Sequence, residues 1–215
     1  ARIQCLADAA WSASENGASL EFYTTDGNAS ESVVLTLDSN KKATFAGDLT
    51  VSGDNVTFES GNADDPLVTI KNTSNAANDM ARLNMVKERN GGTAAAGDNV
   101  AEIRFMSKDA SGNEQQYGLI LGEIDVATHG QESGLMKFGV ANHDGGSGYG
   151  IILQGGSADN EVDVTLGLGA SSVTTITGDA TVTGDVIMMV NLPTSNPENP
   201  GQLWNDSGTV KVSTE

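Results

Sequence analysis

No stretch of this chain keeps one hydrophobic rhythm for longer than a single strand. Apolar and polar residues alternate in short runs at 19–25, 33–37, 67–71, 81–87 and 100–106, then at 117–124, 134–140, 150–154 and 162–166. Clusters of Asp, Asn, Gly and Ser separate them, as in Asp26-Gly27-Asn28, Asp38-Ser39-Asn40, Asn90-Gly91-Gly92 and Ser111-Gly112-Asn113. Such residues supply positive φ or side-chain-to-backbone hydrogen bonds, which tight reversals need. Regular alternation of strand and turn predicts an all-β chain. The nearest approach to a helical segment, 75–80, is short and reads as a turn.

Two stretches have a different beat. Gly-Asp pairs recur six residues apart at 47/48 and 53/54, and again at 178/179 and 184/185. Strands of three or four residues between such turns cannot bury themselves alone. They are stable when stacked along an axis or wound with neighbouring chains. Leu49, Val51, Val56 and Phe58 in the first stretch, and Val182 and Val186 in the second, are therefore expected to face a threefold axis or an inter-chain seam. Closed symmetry would also remove free strand edges.

A longer echo points to duplication. Ala1-Arg2-Ile3-Gln4 leads through a loop to Leu20-Glu21-Phe22-Tyr23, and Ala81-Arg82-Leu83-Asn84 leads to Ile103-Arg104-Phe105-Met106. The second copy is preceded by 66–72, for which the first has no counterpart. The chain also opens as if already inside a strand, so an N-terminal portion is expected to be missing. The boundaries that follow are a truncated β-module at 1–44, a shaft-like connector at 45–60 and a main β-domain at 61–170. A second connector at 171–190 and a C-terminal cap at 191–215 complete it. In the cap, 202–205 should pair with 209–212 around Trp204 as a buried anchor.

Composition narrows the classes of function. Only 5% of residues are aromatic and 38% are hydrophobic, against 26 glycines, which is thin material for one globular core. The formal charge of -18 leaves few Lys or Arg to meet a phosphate backbone, so no nucleic-acid partner is expected. No apolar run approaches the roughly 18–20 residues of a membrane span, so no membrane insertion is expected. Cys5 is the only cysteine and reads as a small buried hydrophobe.

Catalytic patterns are weak. Asp64-Asp65 before Pro66 is the only adjacent acidic pair and reads as a solvated turn rather than an acid/base couple. No Gly-x-Ser-x-Gly stands between strand and helix. The Asp109–Asn113 loop offers oxygens at EF-hand positions 1, 3 and 5, then departs: Gly112 comes too early, and Ile120 stands where a bidentate Glu is required. No catalytic residue, cofactor or metal ligand is assigned. Trp11, Tyr117, Tyr149, His129 and His143 are the side chains a sugar-binding surface would use, with Tyr149 and His129 beside loops, where binding residues concentrate. Packing in the thin core is the favoured reading of each, and Tyr149, His143 and His129 stand as the candidate glycan contacts.

The text of the sequence also carries a resemblance. Ala43-Thr44-Phe45-Ala46-Gly47-Asp48-Leu49-Thr50-Val51-Ser52-Gly53, with the 20–25 and 34–40 segments before it, resembles modules of bacteriophage tail-fibre and related virion-fibre proteins. Leu192-Pro193-Thr194-Ser195-Asn196-Pro197-Glu198-Asn199-Pro200-Gly201-Gln202-Leu203-Trp204 and the residues to Ser213 look like the closing segment of many phage structural proteins. Residues 60–190 are similar mainly in style. The resemblance implies a homotrimer on the exterior of a virion, in contact with other virion proteins and with a host surface glycan or protein. The serine-lysine signature of a self-cleaving fibre tip is absent, so maturation by self-cleavage is not expected.

The expected fold is thus all-β: modular β-sandwich-like domains joined by short β-helical or β-prism shafts in an intertwined homotrimer. The expected function is a non-enzymatic fibre component of a tail or capsid, contributing to host attachment. The alternatives are a glycan-depolymerising tailspike and a prokaryotic cell-surface adhesin of similar β architecture.

Overall fold

The computed structural model describes all residues except 26, 28, 29, 54, 185 and 215. Among the described residues none is helical, and eleven strands form three antiparallel sheets with no closed barrel. The chain is all-β. It divides into two units, Ala1–Ala81 and Arg82–Glu215.

The first unit holds a four-stranded meander of β1 (Arg2–Ala7), β2 (Ala18–Thr25), β3 (Glu31–Leu37) and β4 (Ala43–Phe45), paired in chain order. Ile3 stands opposite Phe22 and Cys5 opposite Leu20; Leu20 is opposite Leu37, and Leu35 opposite Phe45. Cross-strand partners share a face and neighbours along a strand do not. One face therefore gathers these apolar side chains, while Arg2, Gln4, Glu21 and Tyr23 lie on the other.

The second unit holds a five-stranded meander of β5 (Asn99–Lys108), β6 (Glu114–Val126), β7 (Ser133–Ala141), β8 (Ser147–Gly155) and β9 (Val162–Leu166). Its turns follow the Asp/Asn/Gly punctuation. Between β5 and β6 the Asp109 carboxylate accepts the Ser111 and Asn113 N–H groups, both at 2.8 Å, and Gly112 takes a φ of 85° that disfavours any side chain. Between β7 and β8, Asn142 N–H donates to Gly146 O at 2.8 Å, and Gly145 supplies the positive φ. A separate hairpin of β10 (Leu203–Asp206) and β11 (Thr209–Val212) lies near the C-terminus. Trp204 is half-buried there rather than fully buried, with the Lys211 ammonium 5.4 Å from its ring centre.

Each sheet is a single layer within its own unit. In the second unit, no strand of the β10–β11 hairpin packs on the five-stranded sheet, so sandwich-like pairing of sheets is not formed there. Among the described residues Leu119 and Leu121 are the only buried apolar side chains, and Cys5 is exposed rather than buried.

Three expected features differ. Segments 67–71 and 81–87 alternate correctly but carry no ladder, because no strand among the described residues lies alongside them. Residues 46–60 and 171–190 likewise hold no described strand, and the Gly-Asp pairs at 53/54 and 184/185 fall partly outside the described residues, as does the 26–28 turn. The duplicated motif folds alike in only one of its parts. Leu20 and Phe22 share the apolar face of their sheet just as Ile103 and Phe105 share theirs, with Glu21 and Arg104 reversed. The Ala-Arg segment pairs as β1 in the first copy and stays unpaired in the second.

Candidate interaction surfaces

The register of the five-stranded sheet sorts its side chains into two unlike faces. Ile103, Ile120, Phe138, Ile151 and Leu166 form one row across all five strands. Phe105, Gly118, Val140 and Gly148 make the row on one side of it, and Ala101, Gly122, Met136, Leu153 and Val164 the row on the other. No polar side chain interrupts these rows. The face is nonetheless open: Phe105 is 56% exposed, Val140 63% and Val164 59%.

The opposite face carries the charges. Glu102 and Arg104 pair at 2.7 Å, and Lys137 Nζ donates to Glu123 Oε2 at 2.7 Å. Ser133 and Gln154 both donate to Asp125 Oδ2, at 2.9 and 3.2 Å. Leu119 lies in register between Arg104 and Gly139, and Leu121 between Glu102 and Lys137. The stems of long charged side chains shield apolar neighbours in this way, and the Lys137–Glu123 pair is itself only 18 and 17% exposed. The buried leucines thus sit under polar cover, and the wholly apolar face has none.

The candidate glycan contacts do not converge. His129 lies in the β6–β7 connection and His143 in the β7–β8 turn, at opposite ends of β7. His129 is fully exposed, with Nδ1 3.3 Å from Glu132 Oε1. The Glu132 carboxyl is held below its usual range, by its own backbone N–H and that of Gly130 first and by His129 after them. Tyr149 is on the polar face, half-buried, opposite Gly139, with the Lys137 ammonium 5.6 Å from its ring centre. Sequence reading singled out the tyrosine but missed Lys137 and Glu123, whose pairing depends on the register of β6 against β7. Trp11 is 66% exposed and Tyr117 47%, so neither packs in a core.

The expected inter-chain residues are all open to solvent in the single chain. Leu49, Val51, Val56 and Phe58 are 61, 53, 58 and 64% exposed, and Val182 and Val186 are 59 and 71% exposed. The Asp109 loop uses its carboxylate on itself: Asn113 Nδ2 donates to Oδ2 at 3.1 Å, beside the two backbone bonds to Oδ1. Those bonds, the Asn113 side chain foremost, hold its carboxyl below the usual range. Asp64 and Asp65 are exposed. Among the described residues no group of three or more His, Cys, Asp or Glu could hold a metal ion, and no helix is long and apolar enough to cross a membrane. Comparison with family models, with curated proteins and with solved structures finds no match to this chain.

Proposed function

We propose that this chain is a non-enzymatic structural segment of a homotrimeric fibre on the exterior of a phage virion, tail or capsid, where it contributes to host-surface attachment. The observation that carries the reading is the number of large apolar side chains left open in both units. Among the described residues only Leu119 and Leu121 are buried apolar side chains, while Ile3 at 66%, Phe58 at 64%, Val140 at 63% and Val164 at 59% lie open. A soluble chain with that deficit needs copies of itself, or another protein, to complete its core. In the proposed assembly, 45–60 and 171–190 are short β-helical or β-prism shafts, and Leu49, Val51, Val56, Phe58, Val182 and Val186 meet their symmetry mates there.

Sedimentation equilibrium of the purified chain tests the assembly, with three times the 22.1 kDa chain mass expected. A stable folded monomer removes the proposal. Immunogold labelling of particles and of cell envelopes tests the location: label on virions supports it, and label confined to envelopes favours an adhesin. Incubation with host polysaccharide tests the absence of catalysis, and new reducing ends would mark a depolymerising tailspike.

A further inference from the structure

We infer that the open apolar face of the β5–β9 sheet is the surface on which copies of this chain meet, each face closing against the same face of its symmetry mates. The number of copies, three, rests on the fibre reading; the choice of face does not.

Charge selects both the face and its occupant. Each copy carries -18, so approach through most of its surface is opposed by repulsion. The Ile103-to-Leu166 row and the rows beside it contain no charged or polar side chain, whereas Glu102, Arg104, Glu123, Asp125 and Lys137 all lie on the other face. A partner seated on the apolar face must itself be uncharged over the same extent. A second copy presents such a surface.

Area and relief agree with that occupant. Five strands about 4.8 Å apart, each contributing about seven residues at about 3.3 Å, give a projected face on the order of 500 Å² before corrugation. That reaches the largest patches that monomers tolerate, about 300–600 Å², and approaches the roughly 800 Å² per partner of a stable interface. The surface is also ridged. A hollow of about 530 Å³ is lined by Val140, Ile151, Leu166, Leu168 and Val173, with Asn142, Ser172 and Thr174 also in its lining. Another of about 430 Å³ is lined by Val100, Met136, Leu153 and Val162 around Gly122 and Gly134, with Glu123 and Gln154 also in its lining. Ile120 and Phe138 stand between them as paired neighbours. Three such faces turned toward one axis can seat the ridge of one copy against a hollow of the next, the heterologous contact that closes a ring. The first unit's sheet, with Ile3, Phe22, Leu35 and Phe45 on one face and Arg2, Gln4 and Glu21 on the other, repeats the division independently.

Thiol accessibility in the full chain tests the assignment, with Cys5→Ser as background and either Met136→Cys or Thr165→Cys added. Met136 lies on the apolar face at 42% exposure, and Thr165 is exposed on the polar face. Maleimide labelling of the trimer should be at least tenfold slower for the Met136→Cys variant than for the Thr165→Cys variant. Val140→Asp, at a position 63% exposed in the single chain, should convert trimer to monomer while the strand signal in circular dichroism persists. A trimer labelled equally at both positions overturns the choice of face and leaves the fibre reading standing. A monomer with the apolar position protected shows that the chain covers its own face, which overturns both. A monomer labelled equally also overturns both. If Val140→Asp does not fold, the labelling pair decides alone.

Discussion

Gly139 sits in the middle of β7 where a methyl group has no room. A Cβ built there would lie 2.7 Å from Leu119 Cδ2, 3.1 Å from Gly148 O and 3.1 Å from Tyr149 Cδ1. Backbone cannot yield cheaply, and Leu119 is one of the two buried leucines, so Gly139→Ala should cost about 1–3 kcal/mol. Gly150, with nothing within 4 Å of its would-be Cβ, is the control. Gly150→Ala should stay within about 0.5 kcal/mol of the parent. Urea unfolding of the two variants measures the difference, and equal midpoints would show that the β7–β8 packing is looser than described. Nothing in the sequence around Gly139 announces this constraint. Glycines at turns can be read from their neighbours, but a glycine forced by a cross-strand leucine and tyrosine becomes visible only with the register.

The loop at 88–98 shows how an element is held by charge. Asp98 pairs with Arg89, lies 3.8 Å from Lys87, and accepts the Ala95 N–H at 3.0 Å. The Arg89 hydrogen bond first, then that of Ala95, holds the Asp98 carboxyl below its usual range. A depressed folded-state pKa favours the ionised form. The loop's stabilisation is therefore complete above the ordinary Asp value of about 3.9 and is lost as pH falls through the lower folded value. An NMR titration of the Ala95 amide should show a midpoint below about 3.9, and Asp98→Asn should flatten it. A midpoint at or above the ordinary value would remove the pairing. At this scale the sequence was informative where alternation and turn residues agreed: 162–166 is the span of β9, and 19–25 lies within β2. It misled at 67–71 and 81–87, because alternation reports the capacity to pair and not the presence of a partner. The second Ala-Arg segment has the pattern of β1 without a neighbour in the ladder. The apolar face was half legible. Each strand showed its alternation, yet only the ladder reveals that five sets of apolar residues fall on one side.

For the whole molecule, the sign of a salt effect separates two ways of holding copies together. Three chains at -18 each would carry -54, and this charge opposes assembly whatever surface is used. Raising salt from about 0.01 M to about 0.15 M shortens the screening length from about 30 Å to about 8 Å. An interface made by an uncharged sheet face loses little attraction to screening, while the repulsion among the acidic surfaces falls steeply. The proposed trimer should therefore dissociate at a higher temperature in the higher salt, measured by light scattering at fixed protein concentration. An interface built from cross-chain ion pairs has the opposite sign, because screening weakens the pairs themselves. The chain's own charges make that alternative poorly supplied: it has 11 basic residues, and Arg2, Lys87, Arg89, Arg104, Lys137 and Lys211 are already paired with acidic groups of the same chain. Destabilisation of the assembly by added salt would mean that those pairs are exchanged between chains, and that the apolar face is not what joins them.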